Sequence, residues 1–168
     1  LSIALKGYYI LQANNKLPNN RYLTIIDMSK SANTQRLFTL DMTTKEIVHK
    51  SLVAHGRNSG EEFSHYFSNK INSYQTSLGF YKTAETYDGK NGLSLKLDGL
   101  EYSNSNARDR GIIFHAANYV NHNFIINNGR LGRSLGCPSL PKKGYTTFVN
   151  KIKDGSCVFI YYPQEYYL

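Results

Sequence analysis

Apolar and polar positions change their period several times along this chain, and each change predicts an element. Residues 1–16 place Ile3, Ala4, Gly7, Ile10 and Leu11 at helical spacing, and "NNKLPNN" ends the pattern. The runs "RYLTIID", "RLFTLD" and "EIVHKSLVAHG" then read as strands, separated by "MSKSANTQ" and "MTTK". Neighbouring strands with short polar turns predict an antiparallel meander. "HGRNSGEEFSHYFSNKINS" has no period and predicts a long irregular loop. Strand character resumes in "SLGFYKTAETY" and "LSLKLDGL", on either side of the turn signal "DGKNG". "EYSNSNARDR" is polar and predicts a surface excursion.

"GIIFH" predicts a short buried strand ending in His115. A helix over 116–128 follows, with Ala116, Val120 and Phe124 on one face and Gly129 as its stop. Pro141 is placed to start a second helix. Its inner face is Tyr145, Phe148, Val149 and Ile152, and Gly155 closes it. "SCVFIYY" is the last strand. The sum is mostly β (α+β): a two-sheet β architecture with a few helices, clustered late. There is no linker, repeat or low-complexity stretch, so residues 1–168 read as one domain with helix 1–16 as an extension.

With 168 residues the chain can form a core without staples. It opens "LSIALKGYYI", without Met, and reads as a trimmed piece. Any signal peptide would have been lost with that trimming, so its absence says nothing about export. No segment approaches the roughly 20 apolar residues of a membrane span. The net charge of +8 favours polyanionic surroundings, such as nucleic acid, a membrane surface or an acidic wall polymer. Lys and Arg are dispersed, however, without zinc-finger spacing or an RNA-module signature, which argues against nucleic acid.

The chemistry concentrates in residues 129–141, "GRLGRSLGCPSLP". Its glycines and prolines exclude a helix interior or a central strand, so it is a shaped loop. It holds Cys137, whereas Cys157 lies in an apolar strand as a small buried hydrophobe. These different settings argue against a disulfide. His115 precedes Cys137 by twenty-two residues, and the intervening helix can return the chain to the same end of the sheet. A neighbouring base favours the thiolate, the reactive form of cysteine. Gly136 would aim the backbone amides around Cys137 at a developing oxyanion, with Pro138 and Pro141 stiffening the far side.

"IIFHAANYV…GRLGRSLGCPSLP" resembles the L,D-transpeptidase (YkuD-like) catalytic domain, in its murein L,D-transpeptidase branch. Family members carry a His on a strand and then a Ser-x-Gly-Cys loop. Here these are His115 and Ser134-Leu135-Gly136-Cys137. "YLTIIDMSK", "RLFTLD", "VAHGRNSG", "SLGFYKTAETYDGKNGLSLKLDGLE" and "NARDRGIIFHAANYV" extend the likeness from about Arg21 to Tyr161. The resemblance implies a YkuD-like β-sandwich and a transferase acting on peptidoglycan stem peptides. Cys137 would attack the L,D bond and form a thioester, which an acceptor amine then resolves. His115 would activate the thiol, held by the carbonyl of Ala116. Gly136 and Ser134 belong to the loop and its oxyanion site.

Two departures stand out. Leu135 replaces a common second His, and Ser139 replaces a common Arg or Asn. The substrate's carboxylates then need another handle. Arg133 is the first candidate, with Arg130 as the fallback, because a guanidinium binds carboxylate through two parallel bonds. The alternative is that both arginines are surface charges or pin the loop through backbone carbonyls. Ser139 and His55 remain candidate substrate contacts, and His55 has a purely structural alternative. His49, His65 and His122 have no ligand spacing, so no metal or cofactor is expected. The resemblance implies an envelope (periplasmic or secreted) location and a monomer. Two competing functions are an L,D-carboxypeptidase, which resolves the same thioester with water, and a non-catalytic wall-binding module.

Overall fold

The computed structural model describes residues 1–165. Its last strand, β8 (Cys157–Tyr161), is not at an edge but in the middle of the sheet. There it lies parallel to β1 (Tyr22–Asp27) and antiparallel to β4 (Gly79–Gly89). Four of its five residues are buried, as expected of a strand covered on both faces. On one side β1, β2 (Leu37–Asp41) and β3 (Glu46–Ser51) form the expected antiparallel meander. On the other side β4 pairs with β5 (Gly92–Gly99), then β6 (Ile113–Ala116) and the two-residue β7 (Ser139–Leu140).

The mostly-β class with a few helices is observed. The expected two sheets are joined, because hydrogen bonding runs unbroken through the order β3-β2-β1-β8-β4-β5-β6-β7. "DGKNG" is a hairpin turn: Gly89 pairs with Gly92, which leaves Lys90 and Asn91 as the loop.

Three helices pack around the sheet. Helix α1 (Ser2–Ala13) buries Ala4 and Tyr8 in a core with Phe80 and Phe159. Helix α2 (His122–Asn128) is shorter than the expected 116–128 and buries no residue. Residues 117–121 form turns instead, and Asn121 caps the helix by accepting from the Phe124 amide at 2.8 Å. Such a cap contributes about 1 kcal/mol. Gly129 ends the helix in the left-handed region, as expected.

Helix α3 (Tyr145–Ile152) starts four residues beyond Pro141, at a Gly144 N-cap. Its inner face is Tyr145, Phe148, Val149 and Ile152, all buried. Fully burying each such side chain is worth about 1.5–3 kcal/mol. Phe148 packs edge-on to Phe114, and Tyr145 donates its hydroxyl to the Phe114 carbonyl at 2.9 Å. Helix α3 thereby fixes β6, the strand that carries His115.

The segment 101–110 is more than a polar excursion. Glu101 and Asn104 form a reciprocal capping box, and Asn104 is fully buried. Arg108 turns outward to Glu85 and Asp98, while Arg110 turns inward. Tyr166, Tyr167 and Leu168 of the aromatic tail lie outside the described residues. Among the described residues, no helix is long and apolar enough to cross a membrane.

Candidate active site

The cysteine loop is held by neighbours on two sides. The Ser134 amide donates to the His55 carbonyl at 3.0 Å, and the Arg57 amide donates to the Ser134 carbonyl at 2.8 Å. At its far end β7 runs parallel to β6, which sets Ser139 opposite His115. The Ala54 amide donates to the Ser139 carbonyl at 2.9 Å. Within the loop, the Ser134 hydroxyl accepts from the Gly136 amide at 3.1 Å and donates to the Cys137 carbonyl at 2.6 Å. Gly136 has φ +126°, a conformation open to glycine and strained for other residues. Ser134 and Gly136 thus shape the turn that presents Cys137. The Gly136 amide is already bonded to Ser134, so it is not a free oxyanion donor.

Cys137 and His115 line one open cavity of about 1010 Å³. His115 is the next-to-last residue of strand β6, and its Nδ1 lies 3.0 Å from the Ala116 carbonyl. Nδ1–H therefore donates to that carbonyl, and Nε2 carries the lone pair. Nε2 lies 3.0 Å from the Ser139 hydroxyl, and that oxygen lies 3.0 Å from the hydroxyl of Tyr119. The Cys137 thiol donates to the Gly111 carbonyl at 3.5 Å. Among the described residues no hydrogen bond joins Cys137 to His115. Thiol and imidazole share the cavity wall, each with its own resting partner.

Burial pushes the Cys137 thiol up, against the Ile113 amide, Arg110 and Lys90, which favour the thiolate. The resting group is the thiol. Burial pulls His115 down, opposed by its bond to Ala116 and assisted by Lys90. The imidazole is then neutral near pH 7 and can take a proton.

Arg110 is the residue that sequence reasoning missed. Its guanidinium donates to the carbonyls of Ser68 (2.9 Å) and Gln75 (2.6 Å). It also reaches the hydroxyls of Ser77 and Ser73, both at 3.1 Å. Among the described residues it has no carboxylate partner, so its charge is not neutralised beside the thiol. The cavity wall also carries Lys90, Arg133 and Lys142 and no Asp or Glu. The only sequence signal for Arg110 was a cation directly ahead of "GIIFH".

The expected substrate contacts fare differently. His55 does not line the cavity; it is 1 % exposed. Its Nδ1 accepts from Arg36 at 2.8 Å, and its Nε2–H donates to the Gly60 carbonyl at 3.1 Å. Burial, with help from Arg36, pulls its pKa down to about 4. It is a neutral structural histidine, which corrects the substrate-contact expectation. Arg130 does not line the cavity either; it pairs with Glu61 at 2.7 Å. Ser139 is fully buried, and its hydroxyl bonds His115 and Tyr119, so it is a contact of the imidazole and not a substrate handle.

Arg133 does reach the cavity wall. Its Nη1, however, donates to the carbonyls of Arg57 (2.9 Å) and Gly60 (3.2 Å) and to Glu61 at 3.1 Å. It pins segment 57–61 to the cysteine loop, as the alternative reading held. Arg133→Ala is expected to lower the melting temperature and slow alkylation of Cys137 together. Scanning fluorimetry and a timed iodoacetamide reaction check this; a lost substrate affinity at unchanged stability would contradict the pinning role. Leu135, where the family commonly has a second His, is exposed at the cavity rim.

A strand-borne histidine beside a glycine-shaped cysteine loop, on this mostly-β scaffold, defines a class. The family model of the L,D-transpeptidase catalytic domain matches residues 1–161, and the chain belongs to that family. Solved structures agree on the fold. An L,D-transpeptidase from Mycobacterium smegmatis superposes with a TM-score of 0.52 at 12% identity, over 84% of this chain and 59% of that one. One from Stackebrandtia nassauensis gives a TM-score of 0.50 at 14% identity, over 86% and 57%. The LD transpeptidase LdtMt1, solved in complex with imipenem, gives a TM-score of 0.50 at 12% identity, over 84% and 59%. The chain spans less than two thirds of the length of these structures. No curated protein matches it.

Proposed function

We propose that residues 1–168 are one catalytic domain that acts as a cysteine-dependent peptidoglycan L,D-transpeptidase in the cell envelope. The observation that carries this reading is the shared cavity of Cys137 and His115, with the ring oriented by Ala116. In the first half-reaction the thiol proton passes to His115. The Cys137 thiolate attacks the carbonyl carbon of the stem's L,D peptide bond, and the terminal D-residue leaves as an amine, taking a proton. In the second half-reaction an acceptor amine attacks the thioester and loses a proton, and Cys137 regains its own. The Ile113 amide, Arg110 and Lys90 stabilise the thiolate between these steps.

The stem's carboxylates are met by Lys90 and Lys142. Both line the cavity, and neither has an ion pair among the described residues, whereas Arg130 and Arg133 are bonded internally. Lys90 sits in the two-residue loop of the β4–β5 hairpin, and its charge favours the Cys137 thiolate.

The test is mass spectrometry of a stem tetrapeptide incubated with the protein and an amine acceptor. The expected product is the tetrapeptide shortened by its D-residue and joined to the acceptor. Tripeptide alone would instead identify water as the acceptor. Lys142→Ala is expected to raise KM about tenfold, the worth of one charge-assisted hydrogen bond, with little change in kcat.

A further inference from the structure

Three features around the cavity are not explained by a Cys–His pair alone. The first is the buried hydroxyl of Ser139, 3.0 Å from the imidazole nitrogen that must take the proton. The second is Tyr119, whose hydroxyl lies 3.0 Å from Ser139 and whose side chain lines the cavity. The third is Gly132. A Cβ at that position would lie 2.3 Å from Tyr119 Cβ and 2.5 Å from its ring, so only glycine leaves the tyrosine its place. The Gly132 amide also donates to the Tyr119 carbonyl at 3.0 Å. Glycine, tyrosine, serine and histidine thus form one connected set, drawn from the cysteine loop, the turn before α2, β7 and β6.

Hydroxyls can donate or accept, so this chain can run in two directions. With His115 neutral, Tyr119 donates to Ser139 and Ser139 donates to Nε2. With His115 protonated, Nε2–H donates to Ser139, Ser139 donates to Tyr119, and Tyr119 turns its own proton toward the cavity. Nδ1–H keeps its bond to Ala116 in both states. No heavy atom has to move, and no buried polar group loses a partner. A buried donor left unpaired is costly, so the second direction matters most when the imidazolium forms.

We propose that Ser139 and Tyr119 are positioning residues that act through His115. Their reversible hydroxyl chain keeps the imidazole bonded in both protonation states, and Gly132 provides the seat for Tyr119. Besides Tyr119, the charged and titratable groups that line the cavity with His115 are Lys90 and Tyr87 from the β4–β5 hairpin, Arg110, Arg133, Cys137 and Lys142. None is a carboxylate, and among the described residues no hydrogen bond joins Cys137 to His115, whose Nε2 partner is Ser139. The inference rests on reading Cys137 and His115 as nucleophile and base.

The test uses His115 itself as the reporter. Imidazole NMR shifts are followed against pH in wild type, Ser139→Ala and Tyr119→Phe, together with the pH profile of Cys137 alkylation by iodoacetamide. In Ser139→Ala, His115 should titrate about one pH unit lower, because the charged form has lost a hydrogen-bond acceptor. The acid limb of the alkylation profile should move to lower pH with it, because only neutral imidazole takes the thiol proton. Tyr119→Phe keeps the ring and should give a smaller shift in the same direction. Gly132→Ala should reproduce the Tyr119→Phe profile, and Ser139→Thr should restore much of the lost shift. Melting temperature is measured alongside. Folded variants with wild-type titration and alkylation profiles would overturn the chain. His115→Ala separates the two readings. If it leaves alkylation unchanged, His115 is not the base and both readings fall. If it slows alkylation while the hydroxyl variants do not, the chain alone is wrong.

Discussion

Replacing Cys137 by Ala is expected to abolish covalent addition of a carbapenem while leaving the fold in place. The β-lactam carbonyl is an acyl donor that opens on attack and has no amine to release, so the acyl-enzyme persists and can be weighed. Cys137 is one of two thiols, and the structure separates them. Cys137 lies on the cavity wall beside an unneutralised Arg110 and the Ile113 amide. Cys157 is fully buried in β8, where burial pushes its thiol up to about 12. It stays protonated at any working pH and out of reach of the drug. Intact-mass spectrometry should therefore show one adduct in wild type and none in Cys137→Ala. Cys157→Ala should give one adduct at a cost of about 1 kcal/mol in stability. An adduct on Cys137→Ala would dismiss the nucleophile assignment.

What the chain's pattern revealed, and what it hid, follows from the range of the interactions. The inner face of α3 was legible because Tyr145, Phe148, Val149 and Ile152 repeat at helical spacing and all four are buried. The β4–β5 hairpin was legible because its turn chemistry is local. The start of α2 was not, because "AANYV" has helical composition and the Asn121 cap decides the boundary. Likewise Gly144, and not Pro141, opens α3.

The site shows the same division. His115 and Cys137 were readable from a strand end and a shaped loop. Arg110, Ser139 and Tyr119 gain meaning only from partners brought in by the fold. Arg110 bonds residues 33 to 42 positions away, and Ser139 meets His115 only because β6 and β7 pair in parallel. His55 was misleading for the reverse reason. Glycine, arginine and asparagine beside it suggested a cleft, whereas its true partner is the buried Arg36 on β2's lead-in.

Removing the imidazole is the second large effect. His115→Ala is expected to slow acylation of Cys137 by on the order of 10²–10⁴-fold, the usual worth of a positioned base. Burial holds the thiol protonated, so some group must take its proton before attack. Among the histidines, His55 is sealed between Arg36 and Gly60, and His49, His65 and His122 do not line the cavity. His115 alone among them lines it, oriented by Ala116 and neutral near pH 7 because burial lowers its pKa. The direction of its pH dependence follows. Only neutral imidazole can accept the proton, so below its lowered pKa acylation falls as protonated His115 accumulates. In His115→Ala that acid limb should vanish. The remaining slow reaction should rise steadily with pH, following the thiolate that hydroxide alone produces. The residual rate measures what the loop, the Ile113 amide and Arg110 contribute without a base. A variant that keeps both the wild-type rate and its acid limb would move the base to another residue of the wall.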